Sequence, residues 1–184
     1  KTYTFWGKGL SQGHSDDVRR VPGVKNGVQY TIPDQTMISQ IKEGKAVEYT
    51  SAKAHQRVVY VVAEPDADQE IIANEIKNMP DYFAPYQTEV NFISQAEFLQ
   101  NHQGMPHGGT VIRQGETSPE TKAVFEFNLK LDSNPQYTAA ISVAFARATY
   151  RLYKAEQYGA KTIFDIPLGL LSNRDSEDLL HNII

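Results

Sequence analysis

Two alternating stretches, Thr110–Gln114 and Ala123–Leu131, flank the turn segment Gly115–Thr121 and predict a β-hairpin. A hairpin pairs antiparallel through a short connection, whereas a doubly wound sheet needs regular strand–helix–strand crossovers. Further strands are expected at Thr2–Trp6, Val28–Ile32, Arg57–Ala63 and Thr88–Ile93, from alternation and β-branched or aromatic enrichment. Between them lie helix signals. Asp34 precedes a stripe of Met37, Ile38 and Ile41 that stops at Gly44. A second helix follows Asp66, with Ile71, Ile72, Ile76 and Met79 on one face and Pro80 as its stop. Ser94 and Glu97 form a capping-box pattern before Phe98 and Leu99. Asn134 and Pro135 open the longest helix, which runs through Ile141, Phe145 and Leu152 and ends before Gly159. A short helix is expected after Ser172. The expected class is α+β: a mixed, largely antiparallel sheet of about six strands with helices packed on one face, in one domain spanning residues 1–184.

Composition narrows the function. The chain has 184 residues, 40% hydrophobic and 22% charged, which is enough to bury a core. No apolar run approaches the ~18 residues of a membrane span, so no membrane partner is expected. A net charge of -4 with scattered basic residues argues against nucleic acid. The absence of cysteine excludes disulfides and thiolate chemistry and agrees with a reducing cytoplasm. No signal peptide is evident. The start at Lys1, leading straight into a strand pattern, predicts a processed or excised fragment.

The segment Gly7–His14, "GKGLSQGH", admits three readings. Gly9–Gly13 satisfies G-x-S-x-G, the elbow of a serine hydrolase, with Ser11 as nucleophile. Only ten residues precede Ser11, however, and only His181 follows the candidate acid Asp165. The glycine spacing is one residue longer than the dinucleotide fingerprint, and no acid stands about 20 residues on. The third reading is a tight turn against a ligand. The histidines lack a recognised metal-ligand spacing, and His55 and His102 read as surface or hydrogen-bonded side chains. His107, followed by Gly108 and Gly109, suits either close backbone approach to a ligand or a capping imidazole in a loop. Arg57 heads the apolar run Val58–Val62; it is either a solvated strand end or a fork aimed at a carboxylate.

Five segments carry a resemblance: "YTFWGKGLSQGHSDDVRRVPGVKNGVQYTIP" (3–33), "MPDYF" (79–83), "GMPHGG" (104–109), "LKLDSNP" (129–135) and "GAKTIFDIPLGLLS" (159–172). Their order and spacing resemble the later part of meso-diaminopimelate dehydrogenases, from end to end of the chain. The resemblance implies the substrate-binding and dimerisation domain of an NADP-dependent oxidoreductase. It implies reversible oxidation of the D-centre of meso-2,6-diaminopimelate to L-2-amino-6-oxopimelate (tetrahydrodipicolinate) plus ammonia, in bacterial lysine biosynthesis in the cytoplasm. The family's substrate contacts fall on Trp6, Gln12, Gly13, Thr31, Arg57, His107 and Asn134. Arg57, Thr31 and His107 are thereby assigned to the distal L-centre carboxylate, with Asn134 nearby. Trp6 and the Gln12–Gly13 turn are assigned to the reacting D-centre; His14 has no assigned role.

The family's NADP-binding Rossmann domain, and the acids that grip the reacting amine, precede the segment that starts at Lys1. The resemblance therefore implies no catalytic, cofactor-binding or metal residue in this chain, which is expected to be inactive alone and to form a homodimer. The alternatives are a non-catalytic ligand-binding or oligomerisation module of the same fold and, more distantly, a hydrolase using Ser11.

Overall fold

The computed structural model describes residues 1–183 and divides at Ser133 into two compact units. In the first, β1 (Thr2–Trp6) and the short β2 (Gly9–Leu10) lead into α1 (Gln12–Arg19). Next come β3 (Val24–Pro33), α2 (Gln35–Lys42), the one-turn α3 (Ser51–Ala54) and β4 (His55–Ala63). Then follow α4 (Gln69–Lys77), β5 (Gln87–Phe92), α5 (Gln95–Asn101) and the hairpin of β6 (His107–Ser118) with β7 (Thr121–Leu131).

The class is α+β, but the strands divide between two sheets instead of forming one. One is antiparallel, in the order β1-β6-β7; the other runs β2-β3-β4-β5. The division falls at Gly7, where the chain leaves β1 and enters β2. Gly7 has φ +102°, and a Cβ there would lie 2.1 Å from the carbonyl oxygen of Thr31. Only glycine permits both that conformation and that approach. The two-residue β2 pairs antiparallel with β3, so the opening segment is part strand rather than turn throughout.

A second correction concerns the helices. In the four-stranded sheet, Val59 and Val61 pack with Val18 of α1 and Ile72 and Ile76 of α4. Val28, Tyr30 and Val62 pack on the opposite face with Phe98 of α5. The near-continuous apolar run of β4 is the signature of a strand buried on both sides. The three-stranded sheet is covered on one face, where Tyr3, Phe5 and Ile112 meet Ile38 and Ile41 of α2. A parallel crossover is also present: β4 and β5 run parallel across α4.

Caps form largely where the sequence places them. Asp34 accepts from the Met37 N–H, and Ser94 from that of Glu97. For α4 the capping residue is Asp68, two residues beyond Asp66, and it accepts from Glu70 and Ile71. The second unit contains α6 (Asn134–Lys154), a 3-10 turn at Ile163–Asp165, α7 (Leu168–Leu171) and α8 (Ser176–Ile183). Helix α6 ends at Lys154, short of Gly159. Arg147 and Arg151 reach from it to carbonyls of Leu171 and Ser172, which ties α7 to α6.

Candidate functional site

Strand register assembles a row of side chains across the two sheets. On β3, Thr31 pairs with Gly9 of β2 on one side and with Arg57 of β4 on the other. Beyond Gly9 stands His107, the first residue of β6; a Cβ on Gly9 would lie 3.0 Å from its ring. Three residues far apart in sequence, Arg57, Thr31 and His107, thus share one lateral line, with Gly9 leaving space between the last two.

Arg57 is buried, 8% exposed, so it is not the solvated strand end that its place at the head of the apolar run allows. Its Nη1 donates to Thr31 Oγ1. The fully buried Gln29 donates to the same oxygen at 3.2 Å. The Arg57 Nε has no hydrogen-bond partner, and among the described residues no acidic side chain forms an ion pair with the guanidinium. Its Cζ lies instead over the ring of Tyr86, 4.0 Å from the centroid. Burial draws its pKa down from the ordinary value, and Tyr86 offsets part of that shift; guanidinium nevertheless keeps its proton in proteins. A desolvated cation without an anion is costly, and a site that supplies the anion as ligand relieves the cost.

His107 offers a neutral donor beside this cation. The Gly108 N–H donates to its Nδ1 at 2.9 Å, which makes Nδ1 an acceptor and leaves the ring proton on Nε2. Burial lowers the His107 pKa, which favours that neutral form.

The opening segment lies along the loop that carries His107. Gly7 N–H donates to Gly108 O and Leu10 N–H to Pro106 O, both at 2.8 Å. The Gln12 amide contacts Met105 Sδ at 2.8 Å. Gln12 and Gly13 line a cleft of ≈ 610 Å³ with Met105, Phe98 and His102. Arg57 lines a smaller recess of ≈ 300 Å³ with Lys77, Gln87 and Thr88. Trp6, at the end of β1, is 56% exposed, and its N–H donates to His55 Nε2 at 2.8 Å. Asn134 opens α6 in the second unit, and its carbonyl accepts from the Thr138 hydroxyl.

Two readings of "GKGLSQGH" lose their geometry here. Ser11 Oγ does meet His14 Nδ1 at 2.6 Å. Yet His14 packs edge-on against Tyr82 and Phe83, and among the described residues no carboxylate hydrogen-bonds it, so the orienting third member of a triad is missing. Its pKa is lowered by burial first and by the Arg57 charge second. A dinucleotide also finds no cradle. The strands flanking α1 are antiparallel, and the parallel unit β4–α4–β5 places Glu64, Asp66, Asp68 and Glu70 where a pyrophosphate would lie.

Gln29 and Tyr86 are the members of this site that sequence reasoning missed. Gln29 is the polar residue between Val28 and Tyr30, and its placement beside Thr31 follows from the strand alternation. Tyr86, in a turn before β5, gives no comparable signal.

Comparison with known proteins gives the family. The family model described as "Diaminopimelic acid dehydrogenase C-terminal domain" matches residues 1–133, the whole of the first compact unit. Meso-diaminopimelate D-dehydrogenase of Lysinibacillus sphaericus is 52% identical over 183 residues, covering 100% of this chain and 56% of the relative. The chain thus spans little more than half the length of such relatives. The solved C. glutamicum DAP dehydrogenase in complex with DAP superposes with a TM-score of 0.89 at 45% identity, covering 100% of this chain and 57% of that one. A six-position variant of meso-dapdh from Clostridium tetani E88, solved with DAP, has a TM-score of 0.90 at 47% identity and the same coverage. With a family model over well more than half its length and a fold to match, the chain belongs to the diaminopimelate dehydrogenase C-terminal domain family.

Proposed function

We propose that this chain is the substrate-binding part of an NADP-dependent enzyme that oxidatively deaminates the D-centre of meso-2,6-diaminopimelate. The observation that carries the reading is Arg57: a buried guanidinium, tied to Thr31, with a buried, unpaired Nε and no acidic partner among the described residues. A substrate carboxylate supplies the missing charge. Arg57 gives it a planar fork, and the His107 Nε2–H and the Thr31 hydroxyl stand on the same line. Holding the distal L-centre in this way leaves the D-centre toward Trp6 and the Gln12–Gly13 turn.

A second line of support comes from the C. tetani variant. Its six replaced residues are Gln, Thr, Arg, Pro, His and Asn, in the order and at the sequence spacing of Gln12, Thr31, Arg57, Pro106, His107 and Asn134. Pro106 thereby joins the proposed site.

In such an enzyme NADP would supply the hydride acceptor, and the substrate would end as L-2-amino-6-oxopimelate and ammonia. NADP is held outside this chain, whose own task is to choose which of two similar centres faces it. The setting is bacterial lysine biosynthesis in the cytoplasm, and the working form is a homodimer. The test is NADPH formation by the full-length protein with the meso, LL and DD isomers supplied separately. Ammonia release and NADPH absorbance with the meso isomer support the reading; equal rates with the LL isomer, or none with the meso, overturn it.

A further inference from the structure

We propose that Tyr86 is a positioning residue for Arg57, holding the guanidinium plane so that its N–H edge stays open for a carboxylate. The inference rests on the reading of Arg57 as the clamp for the distal carboxylate. An arginine side chain, with three methylenes before its Nε, has several rotatable bonds, and here one corner of the guanidinium is tied, through Nη1 to Thr31 Oγ1. The Nε is unpartnered, so hydrogen bonds alone do not fix the plane. The other restraint is the Tyr86 ring, 4.0 Å from Cζ. A face contact uses none of the N–H groups, which lie in the plane; the Tyr86 hydroxyl adds a polar attraction to the guanidinium.

The ring is itself held from three directions. The Tyr86 backbone N–H donates to the carbonyl of Phe83, a fully buried anchor, at 2.9 Å. The Tyr86 carbonyl accepts from the Thr88 hydroxyl at 3.3 Å, and Thr88 is the register partner of Arg57 on β5. The Tyr86 hydroxyl meets Ser51 Oγ at 3.1 Å, which links it to the turn before β4. The chemistry of the choice is informative. An Asp or Glu at this position would neutralise Arg57 and compete with the ligand. An aromatic face offsets a buried cation without neutralising it.

The test is a double-mutant cycle in the full-length enzyme, with Tyr86→Leu and Arg57→Met alone and together, reading KM for meso-2,6-diaminopimelate against kcat. Tyr86→Leu is expected to raise KM about tenfold with a smaller change in kcat, and to add nothing in the Arg57→Met background. Tyr86→Phe, which keeps the ring, should remain within about threefold of the parent KM. Pentafluorophenylalanine at the same position preserves shape but removes the negative ring face, and should behave like Tyr86→Leu. Tyr86 acting only as a turn residue would give additive losses in the cycle and parent-like KM for the fluorinated ring; either result overturns the proposal. Should Tyr86→Leu not fold, the comparison of Phe with its fluorinated analogue decides alone. An unchanged KM in Arg57→Met would instead overturn the clamp reading itself, so the two failures are distinguishable.

Discussion

A Cβ on Gly9 would lie 2.9 Å from the Cα of His107, closer than carbon atoms approach without movement. Gly9 is also the β2 partner of Thr31, so the contact joins the two sheets at the point where the proposed carboxylate clamp is assembled. Gly9→Ala should therefore push the His107 loop outward, because the obstruction is backbone and cannot rotate away. Such overpacking typically costs about 1–3 kcal/mol. Urea denaturation of the 184-residue chain should show a lowered midpoint with an unchanged slope. A midpoint equal to the parent's would mean that β2 and β6 are not held as closely as described.

His55 makes stability depend on acid. It is 2% exposed, accepts the Trp6 N–H at Nε2, and its Nδ1 lies 2.8 Å from the Ser51 carbonyl. That arrangement fixes the neutral Nδ1–H tautomer. Its pKa is lowered from 6.5, by burial above all, with the Ser51 contact opposing and the Arg57 charge adding. The unfolded chain thus takes up a proton on this residue near pH 6.5 while the folded chain resists it. The stability is complete above that pH and is lost as pH falls below it, toward the lower folded pKa. The slope contributed by one such group reaches at most about 1.4 kcal/mol per pH unit inside the window. Denaturation at pH 7.5 and pH 5 should show less acid-induced loss in His55→Asn than in the parent. Identical losses in the two proteins would remove His55 from this role.

Exposed aromatic residues on the three-stranded sheet, on the face opposite α2, predict self-association. Thr4, Val111 and Phe127 stand in one register row, and Phe125, 66% exposed, stands in the next. Phe127 is also more than half exposed. Aromatic residues on an open sheet are the composition of a buried interface rather than of a solvated surface. Phe127→Glu should convert a dimer into a monomer in sedimentation at about 10 µM, a concentration at which obligate dimers stay associated. The parent sedimenting as a monomer would remove the argument.

The elements that sequence reading located best are those whose signals are local. β1 matches its predicted bounds, Asp34 and Ser94 cap the helices they precede, and the hairpin pairs as its alternation requires. What escaped depends on partners far away in the chain. The two-residue β2 is too short to show alternation, and without it the strands read as one sheet. His55 and Trp6 are 49 residues apart, and nothing local says that an imidazole will accept a strand-end N–H. The α4 cap lies at Asp68 rather than Asp66 because either aspartate satisfies the local rule, and the turn before it decides. At the site, Arg57, Thr31 and His107 were legible through family motifs, whereas Gln29 and Tyr86 act through a neighbour, and a sequence does not show neighbours of that kind.

Arg57 carries the most direct prediction. With its guanidinium in the clamp, Arg57→Ala removes a charge-assisted contact and leaves a substrate carboxylate poorly paired in a partly dry setting. Losses of this type run to about 2–5 kcal/mol, so KM for meso-2,6-diaminopimelate in the full-length enzyme should rise more than tenfold. Arg57→Lys should recover only part of it. An ammonium has the charge but not the planar fork, and it cannot keep the Thr31 bond, the Tyr86 face and the ligand together. Affinity for NADP should hardly change, because the residue faces the substrate. Folding stability separates this from a structural role. The cation is buried without an acid, so Arg57→Ala should lower substrate affinity far more than it lowers the denaturation midpoint. Steady-state kinetics with substrate varied at saturating NADP, set beside denaturation curves of the same three proteins, gives the answer. A parent-like KM in Arg57→Ala, with a large fall in stability, would make Arg57 a core residue and leave the carboxylate without a clamp.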